Sequence, residues 1–304
     1  MEDKILQKLP RIRKNILLKD YTTYKIGGPA KYFYVAKTKD DLINAVKIAK
    51  NLKLPIFILG AGSNLLVSEK GFKGLVIKID ISNVNFQGKN IIVGAGTKLT
   101  KLAHLSADNS LSGLEWSAGI PGTVGGAIYG NAQAFGEKIS DAVEGVEVMN
   151  LKTLKLGNLT KKQCQFSLKS SIFKKNKNLI IISAILRLNK GNKKEIQKKF
   201  KENMNYRKKN HPTNFPSAGS VFVNPENKGE VIRVSYLIEN CGLKGKKIGK
   251  AQISEKHANF IINLGGGPKG CPAQDVLALI NLVKRKVKKT FGINLEVEVQ
   301  FVGF

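Results

Sequence analysis

The chain has 304 residues, a length that suits two or three modules, and its hydrophobic share of 42% is that of a globular protein rather than a disordered one. A formal net charge of +29 would by itself favour nucleic acid, an anionic membrane surface or a phosphorylated substrate. The lysines are spread along the chain, however, and no zinc-finger or RNA-binding signature accompanies them. We therefore predict no nucleic-acid partner.

No apolar run approaches the roughly 18–20 residues that cross a bilayer, and the longest, residues 179–186, is typical of a buried strand. The N-terminus lacks the apolar core of a secretion signal. The three cysteines and three histidines are isolated and show no metal-ligand spacing. These features predict a cytoplasmic protein without a membrane partner, a disulfide framework or a structural metal.

The hydrophobic pattern of the first two thirds of the chain mixes strands with helices. It predicts helices at residues 39–52, 99–109 and 193–209, and strands at residues 55–59, 74–79, 90–93, 143–149 and 179–186. Strand–helix–strand units that give way to strands favour an α+β nucleotide-binding module over a uniform doubly wound sheet. We place a domain boundary near residue 195 and a split of the first domain near residue 80.

Beyond residue 195 the pattern changes. It predicts a helix near residues 228–240, a strand at 258–263, a turn cluster at 265–270, a long helix at 272–291 and a last strand at 294–302. In that last strand Leu295, Val297, Val299 and Phe301 would share one face, and Glu296 and Glu298 the other.

Two glycine-rich loops are the most informative segments. The sequence GAGSN at residues 60–64 follows an apolar strand, and GIPGTVGGAIYGN occupies residues 119–131. Glycine lets backbone approach a large ligand closely, and exposed backbone N–H groups suit a polyphosphate. Either loop alone is as consistent with an ordinary turn. Together they favour a large phosphorylated cofactor held by Gly60, Ala61, Gly62, Ser63, Asn64, Gly119, Ile120, Pro121, Gly122, Thr123, Gly125, Gly126, Ala127 and Asn131.

Combined in order, these and five further segments resemble the UDP-N-acetylenolpyruvoylglucosamine reductase family. The further segments are TTYKIGGPA at residues 22–30, PSAGSVF at 216–222, AQIS at 251–254, KHANF at 256–260 and LEVEV at 295–299. The resemblance covers essentially the whole chain and matches the family's shorter type. It implies a vanillyl-alcohol-oxidase-like (PCMH-type) FAD-binding region at residues 1–195 and an α+β substrate-binding domain at 196–304. We expect the last strand, at about residues 295–304, to pack back on the N-terminal subdomain.

The resemblance also implies an activity. Enzymes of this family use NADPH and a bound FAD to reduce UDP-N-acetyl-3-O-(1-carboxyvinyl)-glucosamine to UDP-N-acetylmuramate for peptidoglycan. We expect FAD to be held without a covalent bond, because neither glycine loop offers an obvious anchor. The partner is then a UDP-sugar. The sequence leaves the oligomeric state open, with a monomer favoured.

Three catalytic residues follow from the resemblance. The family's proton-donating serine matches Ser220, and its C-terminal glutamate matches Glu298, although spacing alone cannot choose between Glu296 and Glu298. The family's arginine position is Lys169, preceded by Leu168 where tyrosine is usual. Lysine keeps the positive charge of arginine but lacks the planar guanidinium group, which can bind a carboxylate through two parallel hydrogen bonds. Lys169 is therefore either an enolate-stabilising charge or one more surface lysine.

Other departures from the family are Gln133, Val223 and His211. They leave two alternatives open beside the reductase. One is another FAD oxidoreductase of the same fold, which would not need the pair Ser220 and Glu298. The other is a catalytically weakened homologue, including a basic binding protein without enzyme activity.

Overall fold

The computed structural model describes residues 2–227, 230–265 and 270–304. The chain forms two compact units. The first unit comprises the stretch ending at Lys14, Lys31–Ala61 and Gly74–Tyr206; the second comprises Asn15–Ala30, Gly62–Lys73 and Arg207–Phe304. The chain therefore changes unit after Tyr206, inside a helix, whereas the sequence places the boundary near residue 195. Two N-terminal segments also belong to the second unit, which hydrophobic patterning could not anticipate.

The helices alternate with strands along the described chain. They are α1 Glu2–Lys8, α2 Lys39–Asn51, α3 Leu99–Asp108, α4 Val124–Gly130, α5 Ile139–Ala142, α6 Ile172–Lys175, α7 Lys193–Asn210, α8 Val234–Asn240 and α9 Ala273–Phe291. Two 3₁₀ turns lie at Leu18–Tyr21 and Glu115–Ser117.

The strands are short in most cases. They are β1 Arg13–Leu17, β2 Pro29–Ala36, β3 Ile56–Leu59, β4 Leu65–Val67, β5 Phe72–Ile79, β6 Val84–Gln87, β7 Asn90–Gly94, β8 Leu111–Ser112, β9 Gln133–Ala134, β10 Glu137–Lys138, β11 Val143–Asn150, β12 Leu156–Thr160, β13 Leu179–Arg187, β14 Asn189–Lys190, β15 Ser217–Ser220, β16 Glu226–Asn227, β17 Glu230–Val231, β18 Lys247–Ile248, β19 Ala251–Ile253, β20 Phe260–Asn263 and β21 Gln300–Val302.

Two sheets have most of their residues in the first unit. One has the strand order β1-β2-β5-β3, with β3 and β5 parallel, and the other is an antiparallel sheet of order β12-β11-β13-β7-β6. The apolar run predicted as a buried strand is β13, which lies at the centre of the second sheet. Helix α2 begins where the pattern predicts, because Thr38 and Asp41 cap each other's backbone N–H groups. The core includes Tyr32, Trp116 and Phe173.

The second unit has its own core around the antiparallel sheet β15-β20-β19-β18. Helix α9 buries Val276, Leu279, Ile280, Val283 and Val287, as its spacing predicts. It begins after Pro272 and ends at Gly292, whose φ of +72° is the left-handed conformation that glycine adopts readily. The predicted helix at 272–291 is confirmed.

The end of the chain differs from its prediction. Only Gln300–Val302 forms a strand, parallel to Leu65–Val67 of the same unit, and Val297 makes an isolated bridge to Phe222. Val299 and Val302 are buried while Phe301 is 45% exposed. The prediction that Phe301 shares the face of Val299 is therefore wrong, because the alternation shifts where pairing with β4 begins.

Helix α8 begins at Val234, later than predicted, and residues 228 and 229 of the predicted helix lie outside the described residues. So do residues 266–269 of the predicted turn cluster. In the described ranges no helix is long and apolar enough to cross a membrane. The same ranges hold no group of three or more His, Cys, Asp or Glu side chains that could bind a metal ion.

Candidate active site

The glycine loop at residues 60–64 follows β3 and carries the chain from the first unit into the second. Gly62 has a φ of +64°, and a Cβ there would lie 2.1 Å from the carbonyl oxygen of Tyr21, so only glycine fits. All five residues are among those described, and none of their backbone N–H groups donates a hydrogen bond to a protein acceptor. The loop thus presents consecutive unpaired donors, which suit a phosphate.

The second glycine segment, in the first unit, uses its backbone differently. The N–H groups of Val124 and Gly125 donate to the carbonyls of Thr97 and Ala95 at 2.9 Å, and those of Gly126 and Ala127 bond to Thr123. These four N–H groups are therefore used within the protein, where they hold α4 in place, and cofactor binding by Gly125, Gly126 and Ala127 stays a prediction.

The glycines of this segment instead allow close approach. A Cβ at Gly125 would lie 2.8 Å from the Cβ of Ala95, whereas one at Gly130 would meet nothing within 4 Å. A Cβ at Gly60 would lie 2.8 Å from Oγ1 of Thr123. The two glycine segments therefore meet inside the first unit at Gly60 and Thr123.

Lys169 lies in a tight turn of the same unit. Ser167 and Ser170 exchange backbone hydrogen bonds of 3.0 and 3.2 Å, and Lys169 takes a φ of +50° between them. The side-chain amide of Asn131 donates to the carbonyl of Ser167 at 2.9 Å, and the hydroxyl of Ser171 donates to the carbonyl of Tyr129 at 2.7 Å. The turn is thus fastened to the C-terminal end of α4, and Lys169 itself is half-buried.

The hydrogen bond to Ser167 also shows how the side chain of Asn131 is used. Asn131 is buried, adopts a left-handed φ of +45° and caps the end of α4. Its side chain is used within the protein, so it would support a cofactor through backbone placement rather than through its amide. Gln133, where the family has glycine, begins the two-residue hairpin between β9 and β10.

Ser220 ends strand β15 of the second unit and pairs with Phe260 across the sheet. A register shift separates this pair from the pair Ser217 and Ile262, and Gly219 provides it with a φ of +77°. Ala218 and Val221 on either side are buried. The bulge therefore turns the strand locally and leaves Ser220 half-buried.

The segment that follows Ser220 pairs with the segment that carries the glutamates. The N–H of Glu298 donates to the carbonyl of Val221 at 2.8 Å, and the N–H of Val223 donates to the carbonyl of Glu296 at 3.0 Å. Glu296 is exposed, whereas Glu298 is half-buried. The structure thus brings Ser220 and Glu298 onto neighbouring segments and distinguishes two glutamates that spacing alone could not.

Asn259 is a residue whose role the sequence did not reveal. It is 4% exposed, and its side-chain amide bonds both backbone groups of Phe222, accepting from the N–H at 3.0 Å and donating to the C=O at 2.9 Å. Its own carbonyl accepts from the N–H of Val221 at 2.8 Å. Asn259 therefore fixes the two residues after Ser220. A polar residue inside the apolar run at 258–262 was the available signal.

Three rings lie close to this strand. His211, His257 and Phe260 have centroids 4.9–5.4 Å apart. Burial, together with the nearby His257, Arg207 and Lys256, lowers the pKa of His211 to about 4. His211 is therefore uncharged at neutral pH and contributes an apolar, aromatic surface next to the partner of Ser220.

A flavin dinucleotide fits these residues. The loop at 60–64 offers unpaired N–H donors for its diphosphate, and the open side of Gly130 leaves room beside α4. In the second unit a hydroxyl and a carboxyl group lie on paired segments, which is an arrangement that can deliver a proton.

Comparison with known proteins agrees with this arrangement. Residues 211–302 match the UDP-N-acetylenolpyruvoylglucosamine reductase C-terminal domain, and residues 30–153 match an FAD-binding domain. Reductases of that name from Caldanaerobacter subterraneus and Halalkalibacterium halodurans are 41% and 42% identical to the chain over 100% and 96% of its length, and 99% and 94% of theirs. The crystal structure of the Thermus caldophilus enzyme is 34% identical over 96% of this chain and 99% of that one, with a TM-score of 0.79.

The hydrogen bonds of Asn259 predict a stability effect. Asn259→Leu should lower the free energy of unfolding by about 2 kcal/mol, because the buried backbone N–H and C=O of Phe222 both lose their partner. Urea unfolding measures this. Asn240→Leu is the matched control, since its amide bonds a carbonyl at an exposed position, and it should change stability by less than about 0.5 kcal/mol. Equal effects of the two variants would contradict the role given to Asn259.

Proposed function

Because the chain belongs to the UDP-N-acetylenolpyruvoylglucosamine reductase family, we propose that it reduces the enolpyruvyl ether of UDP-N-acetylglucosamine to UDP-N-acetylmuramate with NADPH. It is an FAD-dependent oxidoreductase of peptidoglycan precursor synthesis, with a PCMH-type FAD-binding region and the family's C-terminal domain. The observation that supports the proposal most directly is the backbone pairing that joins the segments of Ser220 and Glu298. Its cytoplasmic location and monomeric state stay predictions.

FAD, when bound, supplies the hydride transfer that side chains cannot perform. The residues that would hold it are those of the loop at 60–64, through backbone N–H groups, and the segment at 119–131, whose glycines let backbone come close to a large ligand. Neither loop contains cysteine or histidine, which supports non-covalent binding.

Ser220 is the proposed proton donor. Addition of hydride to the methylene carbon of the substrate leaves negative charge on the neighbouring, carboxyl-bearing fragment, and that carbon then needs a proton. The hydroxyl of Ser220, on a strand fixed by Asn259, can supply it. Glu298 lies on the paired segment, where it would orient this machinery and share the proton.

Lys169 is the proposed charge that stabilises the enolate. The turn that carries it is held to α4 by Asn131 and by the amine of Lys174, which donates to the carbonyl of Lys169 at 3.1 Å. A fixed turn places a point charge reproducibly, which is what electrostatic stabilisation of a developing anion requires. Lysine offers this charge without the bidentate grip of arginine.

The assay that tests the function is NADPH oxidation with and without the enolpyruvyl substrate. A reductase oxidises NADPH rapidly only when the substrate is present and forms one UDP-N-acetylmuramate per NADPH. An oxidase of the same fold would consume oxygen regardless of this substrate. A purified protein that binds no FAD would support the binding-protein alternative.

Ser220→Ala should lower turnover with the enolpyruvyl substrate by about 10²-fold or more, because the proton donor is lost. NADPH oxidation with ferricyanide as the electron acceptor should stay within about twofold, since that reaction needs no protein acid. Ser217→Ala, on the same strand, is the control, because only the carbonyl of Ser217 makes the bond to Thr23. Equal losses in both assays would assign Ser220 a structural role.

Lys169→Ala should reduce turnover by about 10²-fold, the usual scale for losing one group that stabilises a developing anion. Lys169→Arg should retain or raise activity, because arginine restores the fork that grips a carboxylate. Lys162→Ala provides an exposed lysine of the same connecting segment for comparison. If Lys169→Ala and Lys162→Ala have equal turnover, another group stabilises the enolate and Lys169 is not a catalytic residue.

A further inference from the structure

The last residue of the first glycine loop contacts the segment of the proposed acid. In the second unit, the side-chain amide of Asn64 donates to the backbone carbonyl of Glu298 at 3.1 Å. The carbonyl of Asn64 accepts from the N–H of Gln300 at 3.0 Å. Two hydrogen bonds thus hold Asn64 against residues 298–300, so the amide of Asn64 is already used within the protein.

Gly62 is the first residue of the loop in the second unit, and hydrogen bonds through Thr23 connect it with the strand of Ser220. The N–H of Thr23 donates to the carbonyl of Gly62 at 3.2 Å, and the hydroxyl of Thr23 donates to the carbonyl of Ser217 at 2.7 Å. Thr23 therefore connects Gly62 with the strand that ends at Ser220. The side chain bridges 194 positions of sequence.

The loop has little freedom between these two ties. Gly62 is pressed against the backbone of Tyr21 so closely that a Cβ would lie 2.1 Å from its carbonyl oxygen. Asn64 leads directly into β4, which pairs with β21. Residues 62–64 are thus held at both ends. Because closely packed elements move together, the position of this segment determines the positions of the residues hydrogen-bonded to it.

We propose that Asn64 and Thr23 are positioning residues, which set the backbone of Glu298 and of the strand of Ser220 relative to the glycine loop. Asn64 acts on Glu298 and Thr23 acts on Ser220. The inference rests on the proposed function, since it takes Ser220 and Glu298 as the proton-delivering pair. It changes the assignment of Asn64, whose side chain orients the acid instead of contacting the cofactor.

A double-mutant cycle tests the link between Asn64 and Glu298. Asn64→Leu, which is close to isosteric and removes the donor, should lower turnover with the enolpyruvyl substrate about tenfold in the parent enzyme. In a Glu298→Gln background the same substitution should cost less than about twofold, because a residue that acts through another has no separate effect. Asn240→Leu, which removes an exposed amide-to-carbonyl bond, should cost nothing in either background.

FAD affinity gives a second readout. The dissociation constant of FAD, measured by fluorescence titration of the apoprotein, should change less than about threefold in Asn64→Leu, because the loop's backbone donors remain. A loss of FAD affinity of more than tenfold would overturn the inference by making the amide of Asn64 a cofactor ligand. So would an equal cost of Asn64→Leu with and without Glu298.

The role of Thr23 is tested with separate variants. If Asn64→Leu fails to fold, the Thr23 variants can still refute the inference. Thr23→Val removes the hydroxyl at similar volume and should lower turnover about fivefold in the parent and not in a Ser220→Ala background. Thr23→Ser should restore the rate, since it restores the donor. Rates that Thr23→Ser fails to rescue would overturn this arm.

The two proposals fail in different ways. If Glu298→Gln and Ser220→Ala alone leave turnover unchanged, the catalytic assignment fails and takes the positioning roles with it. Suppose instead that these two variants are slow. If Asn64→Leu and Thr23→Val then lower turnover in those backgrounds by as much as they do in the parent enzyme, only the positioning roles fail.

Discussion

The second unit depends on the backbone conformation at Gly62. A φ of +64° and the contact with the carbonyl of Tyr21 exclude every side chain there, so the glycine loop lies directly against residues 21–23. From that contact follow the bond of Thr23 to Ser217 and the bonds of Asn64 to residues 298 and 300. The family's N-terminal motif at 22–30 is therefore part of the unit that carries Ser220 and Glu298, although at least 190 positions of sequence separate the motif from either residue.

The sequence could predict most helices and strands because their patterns are local. Thr38 and Asp41 mark the start of α2, and the apolar stripe of α9 marks its length. The last strand could not be predicted, because a period of two identifies faces but not partners. Its pairing partner, Leu65–Val67, has three residues and lies more than 230 positions away. The two N-terminal segments of the second unit escaped prediction for the same reason, since their contacts are distant in sequence.

The same distinction applies to the site. Ser220 and Glu298 could be proposed from motifs, yet only the pairing of residues 221–223 with 296–298 separates half-buried Glu298 from exposed Glu296. Asn259 and Asn64 act through side-chain bonds to distant backbone groups, which no local pattern encodes. The N–H groups of residues 124–127 show what a local pattern leaves out. A glycine-rich run suggested donors for phosphate, whereas its N–H groups hold α4 to its neighbours.

The net charge of +29 is compatible with this site without a nucleic-acid partner. Helix α7 buries only Ile196 and Phe200, so its many lysines lie on a solvated surface. Exposed ion pairs such as Lys199 with Glu137 contribute little to stability, and such charges act mainly through the field they create. NADPH, FAD and a UDP-sugar are all anions, so a positive field raises their local concentration to an extent that salt screens. Lys169 differs from these lysines because its turn, in which Lys169 has a φ of +50°, is hydrogen-bonded to the side chains of Asn131 and Lys174. A charge fixed in this way can stabilise one particular anion, whereas a diffuse field attracts all anions alike.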